Sequence, residues 1–152
     1  MDIVSLVIDY VACFFACYAF TYILNAPKKA RIPASHFGAI GYIIYLICLE
    51  YINMPTGFFL GTLFMSIASE VSARVLKMPA TALSTPAIVS LVPGGGIYYS
   101  MMHFVRHETA EGIAKTVETL INAGAMAMAL ACTSVAFKIF KFYYKKNKNI
   151  EQ

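Results

Sequence analysis

The feature that most limits what this chain can become is a succession of five apolar runs, each close to the length that crosses a bilayer. A helix needs about 20 predominantly apolar residues to span the hydrocarbon core. The runs cover about 3–24, 35–51, 58–76, 81–104 and 113–137. Short polar or proline-containing joints separate them: Asn25-Ala26-Pro27 with Lys28, Lys29, Arg31 and Pro33, then Asn53 to Gly57, Lys77-Met78-Pro79, and Arg106 to Glu111. Hydrocarbon offers no partner to a free backbone amide, so spanning segments of this length must be helical. The expected fold is therefore an all-α integral membrane protein with five transmembrane helices. One transmembrane domain, 1–137, precedes a basic cytoplasmic tail, 138–152. The composition agrees: 13% of the residues are charged, about half the share in a water-soluble domain.

The first run could be taken for a signal peptide. Only Asp2 precedes it, there is no basic leader, and the run exceeds the 7–15 apolar residues of a signal. It reads as a retained helix. Orientation follows from the placement of Lys and Arg. With the first joint inside, Lys28, Lys29, Arg31, Arg74, Lys77, Lys138, Lys141, Lys145, Lys146 and Lys148 are all cytoplasmic, leaving Arg106 and Lys115 outside. That bias requires an odd number of spans, with the N-terminus out and the C-terminus in. In the tail, Phe140, Phe142, Tyr143 and Tyr144 alternate with lysines, a pattern suited to the inner leaflet.

The net charge of +4 does not indicate a nucleic-acid partner, because the basic residues cap apolar runs rather than forming a phosphate-tracking stripe. Cys13, Cys17, Cys48 and Cys132 lie inside apolar runs and read as small buried hydrophobes. His103 and His107 have the spacing of two ligands on one helix, but no third ligand stands at a recognisable spacing. No metal or other cofactor is expected. Enzyme motifs such as GxSxG, HExxH and Walker A are missing, so an enzyme is not expected.

Four features sit badly with an inert hydrocarbon-facing bundle. Pro93-Gly94-Gly95-Gly96 interrupts the fourth run, with Pro86 shortly before it. Proline removes a backbone donor and glycine weakens a helix, so the span is expected to split there, with a second half-helix starting near Ile97. Unwound backbone at membrane depth is tolerated where it is buried or lines a cavity. Free N–H groups at such a half-helix start hold carboxylates in transporters. The alternative is a kink or close crossing. Ser66, Glu70 and Arg74 share one face of the third run; they form either a functional charge in the bundle or an intrahelical pair near the inner interface. Asp9 either marks the outer interface or faces a polar pathway. Asn122 lies beside Gly124 and an Ala123/Ala127/Ala131 stripe, and Gly57 stands four before Gly61; both read as close-packing surfaces.

Several of these segments resemble one family. They are Asn25-Ala26-Pro27, Gly38 to Gly41, Ser69-Glu70 through Arg74 to Lys77-Met78-Pro79-Ala80-Thr81, and above all the stretch from Pro86 through Pro93-Gly94-Gly95-Gly96 to Tyr98-Tyr99. The chain resembles the threonine/serine exporter family over about Asp9 to Ala136, in its small, separately encoded C-terminal-type half. The resemblance implies a bacterial inner-membrane secondary exporter driven by the proton motive force. It also implies a hetero-oligomer with a larger subunit of the same family. Threonine or serine is the expected cargo, with a dicarboxylate such as succinate as the alternative.

Together, residues and resemblance give a candidate site. Pro93, Gly94, Gly95 and Gly96 would receive the substrate carboxylate. Arg74 would add attraction from the inner side, Glu70 or Asp9 would carry the coupling proton or pair with the substrate amine, and Asn25, Tyr98 and Asn122 would supply neutral hydrogen bonds. A rival reading makes the chain a non-catalytic membrane scaffold for a transporting partner.

Overall fold

The computed structural model describes residues 3–148, with side chains through residue 140. The described residues form helices throughout: α1 (Ile3–Ile23), α2 (Lys28–Tyr51), α3 (Met54–Leu76), α4 (Thr81–Ile88) with a 3-10 turn at Val89–Leu91, α5 (Gly94–Val105) and α6 (Thr109–Lys148). Four of them, α1, α2, α3 and α6, are long and apolar enough to cross a membrane; α4 and α5 together make a fifth, bent by 46° at the break.

The helix ends are set by local chemistry. Asn53 caps α3 by accepting the Thr56 N–H at 3.0 Å, and Pro55 occupies the first turn, where its missing donor costs nothing. Three C-termini close through a left-handed residue that is not glycine: Asn25, Lys77 and His107. After α1, Asn25 N–H donates to Tyr22 O at 3.1 Å and Ala26 N–H to Thr21 O at 2.8 Å. That pair of bonds is the Schellman closure. Glu108 N–H to His103 O and Met78 N–H to Ala73 O repeat its long bond after α5 and α3.

Two boundaries differ from the sequence expectation. The basic joint 28–34 is not a loop: α2 starts at Lys28 and runs through Pro33. Pro33 forfeits one helical hydrogen bond, but Ala30 and Ala34 on this first stretch are fully buried against Ala73 and Leu83. That packing holds the turn helical. At the other end, α6 continues past Phe137 to Lys148 without a break. The side chains of 141–152 lie outside the described residues, and with them the expected inner-leaflet contact of the aromatic and lysine tail.

Each helix packs on a neighbour in the order α1, α2, α3, α6, α5, while α4 lies across α1, α2 and α3. The core between them is built from small side chains. A Cβ on Gly61 would come within 2.6 Å of Gly41 O, and one on Gly38 within 2.8 Å of Ala87 O. Backbone thus meets backbone along α2, α3 and α4, which only residues lacking a side chain permit. Gly57 does the same against Tyr45 O at 2.9 Å, in agreement with the close-packing reading of Gly57 and Gly61. The outer surface is large and apolar: Ile3, Val4, Val7, Ile8 and Phe15 of α1 are all more than half exposed. In water such a face is untenable; facing lipid it is the expected solvent contact.

One expected packing surface is turned outward. Ala123, Ala127 and Ala131 are exposed, and nothing lies within 4 Å of a Cβ built on Gly124. The buried face of α6 is instead Thr119, Asn122, Met126, Ala129 and Thr133. Those positions follow the three-four spacing of a helix seam, and Met126 packs with Phe58 and Leu91.

Candidate functional site

The break in the α4–α5 span lies at Val92-Pro93, and the three glycines are helical. Pro93 caps α5 with φ −74° and ψ 54°, and Gly94, Gly95 and Gly96 form its first turn. The expectation of unwound glycines with a half-helix starting near Ile97 is thus corrected by three residues. Proline alone suffices for the break, since it has no N–H and clashes with the preceding turn, while glycine has only a modest aversion to helix. All three glycines have negative φ, so no backbone strain explains them.

Their surroundings do separate them. A Cβ on Gly96 would meet the Thr119 side chain, with Cγ2 at 3.1 Å and Cβ at 3.3 Å, so Gly96 lets α5 lie close on α6. A Cβ built on Gly94 or Gly95 would meet nothing within 4 Å. Here glycine serves neither conformation nor internal packing. It leaves the backbone bare.

The bare turn opens on a cavity of about 300 Å³. Its walls come from four helices: Tyr42 and Tyr45 of α2, Met54 and Phe58 of α3, Pro93 to Gly96 and Tyr99 of α5, and Lys115, Glu118, Thr119 and Asn122 of α6. The cavity exists because of the bend. Beyond Pro93, α5 packs on α6 and on no other element among the described residues, leaving a space beside α2 and α3.

Its polar groups are unusual for so apolar a bundle. The first N–H groups of a helix have no partner within it. Gly94 N–H is taken by Val92 O at 2.7 Å, and Ile97 N–H reaches Pro93 O at 3.3 Å. Gly95 and Gly96 are left as the amides that the helix start cannot serve, at its positive dipole end. Asn122 is 3% exposed; its amide nitrogen donates to Met54 Sδ at 3.1 Å, and its Oδ1 has no partner. A buried acceptor without a donor costs about 1–3 kcal/mol. Lys115 and Glu118 hold each other at 2.8 Å and 2.9 Å on the same wall. The cavity thus offers free N–H donors, a free oxygen acceptor and a paired cation and anion.

A second cavity, about 370 Å³, lies on the α1 side and is lined by Asp9, Cys13, Cys17, Phe20, Val89 and Ser90 among others. Tyr42 and Ser90 line both cavities, so the two spaces share a wall. Ser90 is fixed there, its hydroxyl lying 3.1 Å from Gly38 O and 3.0 Å from Ala87 O. Asp9 has no hydrogen bond or ion pair among the described residues.

A family model described as Threonine/Serine exporter, ThrE matches residues 9–136. This chain belongs to the threonine/serine exporter family. No curated protein and no solved structure matches it. The exporter-family match covers every candidate residue, from Asp9 to Asn122, and an exporter-family domain with several apolar helices is a multi-pass membrane transporter domain.

Within this exporter-family chain, the residues singled out from sequence fall into three places. Pro93, Gly94, Gly95, Gly96 and Asn122 come together around one cavity, and Asp9 faces the adjoining one. Glu70 and Arg74 line a third, separate cavity. They do not form an ion pair; Arg74 instead lies over the Phe137 ring, 4.6 Å from its centroid. Asn25 lines none of these cavities; it is exposed and closes α1. Tyr98 does not line the glycine cavity; its neighbour Tyr99 does. One residue along a helix turns a side chain by about 100°, which the sequence run Tyr98-Tyr99 does not resolve.

Sequence reading missed Lys115, Glu118 and Thr119 as site residues; Lys115 entered only as a charge on the outer side of the fifth run. Their spacing with Asn122 was a usable signal, since 115, 118, 119 and 122 share one helical face. After α5, His107 is the left-handed closing residue. His103 Nδ1 lies 2.7 Å from Glu108 and 3.6 Å from Glu111. His107 takes no part in this half-exposed cluster of His103, Glu108 and Glu111, so the two histidines do not act as the pair their spacing suggested.

Proposed function

We propose that this chain is a subunit of a secondary exporter of small carboxylate-bearing metabolites, with threonine or serine as cargo. The observation that carries the reading is the first turn of α5: Gly95 and Gly96 keep amides that the helix start does not serve, Gly94 and Gly95 add no side chain to screen them, and the cavity they border holds the buried Asn122 Oδ1 without a donor. A substrate carboxylate accepts from the Gly95 and Gly96 N–H groups, aided by the helix dipole. Asn122 Oδ1 accepts from the substrate's ammonium or hydroxyl. Lys115 and Glu118 give a zwitterion one charge of each sign. A dicarboxylate such as succinate brings no donor for Asn122 in its ionised form, so the acceptor favours an amino acid.

Asp9 is the proton carrier in this reading, because its cavity meets the substrate cavity at Tyr42 and Ser90, whereas Glu70 opens elsewhere. The chain crosses a bacterial cytoplasmic membrane five times, N-terminus out and C-terminus in, with α4 and α5 as one bent span. The export is driven by the proton motive force, and a larger subunit of the same family completes the pore on the side of α5 that this chain leaves open.

The test is efflux of labelled threonine, serine and succinate from cells carrying the pair of subunits. Gly95→Leu fills the open turn and is expected to abolish threonine and serine export while the protein still inserts. Undiminished export would reject this site. Full transport by the reconstituted larger subunit alone would instead favour the scaffold reading.

A further inference from the structure

A third cavity, of about 890 Å³, lies where α3 ends, α4 begins and α6 passes. It is larger than the other two and takes no part in the reading above. Its charged lining is Glu70, Arg74, Lys77 and Lys138, three cations to one carboxylate, with Phe137 and Phe140 beside them. None of the three cations forms an ion pair among the described residues. Arg74 is held in place by the two rings, its guanidinium carbon 4.6 Å from the Phe137 centroid and 5.9 Å from that of Phe140. A guanidinium stacked on a ring keeps its N–H edge free for an oxyanion. Lys77 is anchored at its backbone by the left-handed turn that closes α3.

Like charges gathered around one space repel one another unless an anion joins them. A small soluble anion would use only the charges. This cavity also has an aromatic side, and it adjoins apolar surface on the outside of the bundle, where Val71, Val75 and Ile139 are exposed. A ligand that matches all of it is amphiphilic, with an anionic head and apolar chains. Basic pockets between membrane helices hold anionic lipid heads in this way. We propose that this cavity is a binding site for the phosphodiester headgroup of an anionic phospholipid, with the phosphate among Arg74, Lys77 and Lys138 and the acyl chains along Phe137 and Phe140.

The full chain in neutral detergent, titrated with phosphatidylglycerol, phosphatidylcholine or inorganic phosphate, tests this by thermal unfolding and by lipid retention in native mass spectrometry. Phosphatidylglycerol is expected to raise the unfolding temperature saturably, and phosphatidylcholine to leave it unchanged. The Arg74→Gln/Lys138→Gln double variant should weaken phosphatidylglycerol binding about thirtyfold, from roughly a fivefold contribution per basic residue. Lys28→Gln/Lys29→Gln, which removes the same charge elsewhere, should change it less than twofold or so. Should the first double variant not fold, Lys138→Gln alone, at an exposed position, is expected to show about a fivefold loss. Equal stabilisation by phosphatidylcholine, or equal losses in the two double variants, would overturn the site. An equal gain from inorganic phosphate would overturn the lipid assignment.

Discussion

The three consecutive glycines should respond to the same substitution with opposite signs. In Gly94→Ala/Gly95→Ala the added methyl groups enter open space, since nothing lies within 4 Å of either position. Alanine exceeds glycine in helix stability by about 0.5–1 kcal/mol per interior position. The first turn realises only part of that, so a gain of about 0.5–1.5 kcal/mol is expected for the pair. In Gly96→Ala the methyl meets Thr119, whose Cγ2 is at 3.1 Å. Thr119 has little freedom to yield, because it is β-branched and its hydroxyl donates to Lys115 O at 2.7 Å. Overpacking of this kind costs about 1–3 kcal/mol. Thermal unfolding of the three proteins in one detergent is the assay, read beside threonine efflux. The expected outcome is a raised midpoint with impaired export for the pair, and a lowered midpoint for Gly96→Ala. A destabilised Gly94→Ala/Gly95→Ala would refute the argument that these glycines serve a ligand rather than the fold, and so would unimpaired efflux from it.

Three further outcomes follow from particular contacts. Asn122→Leu removes the partnerless buried Oδ1 and should leave stability equal or raise it by about 1 kcal/mol, while threonine efflux falls; unfolding midpoints and efflux rates separate the two effects. Gly61→Ala drives a methyl into Gly41 O and should lower stability by about 1–3 kcal/mol, measured by the same unfolding assay. At Asn25, which holds φ 54°, Asn25→Gly should be neutral to slightly stabilising with efflux intact, whereas Asn25→Val should cost about 1–2 kcal/mol; lost efflux in a stable Asn25→Gly protein would return this residue to the transport site.

Much of the fold was legible because lipid imposes a simple rule. A run of about 20 apolar residues has few ways to satisfy its backbone other than a helix, so α1, α3 and the α4–α5 pair appeared within a few residues of their observed bounds. The start of α2 and the end of α6 were misplaced for a single reason. Hydropathy marks where lipid contact ends, but a helix continues as long as packing or its own hydrogen bonds support it, as buried Ala30 and Ala34 do for the basic start of α2. The resemblance to the exporter family was readable from the stretch between Pro86 and Tyr99, and the family match includes all of that stretch.

What the amino-acid order determined by itself was local: the helices, the proline break, and the presence of polar groups that hydrocarbon does not tolerate without cause. Which of those groups share a space was decided by tertiary structure. Gly95 and Asn122 lie far apart in the chain yet border one cavity, because the bend at Pro93 leaves α5 resting on α6 alone. Glu70 and Arg74 sit on one helical face and still make no pair; the guanidinium lies over the Phe137 ring on α6 instead. Side-chain periodicity specifies a direction from one helix axis. Only the packing of several helices fixes what stands in that direction.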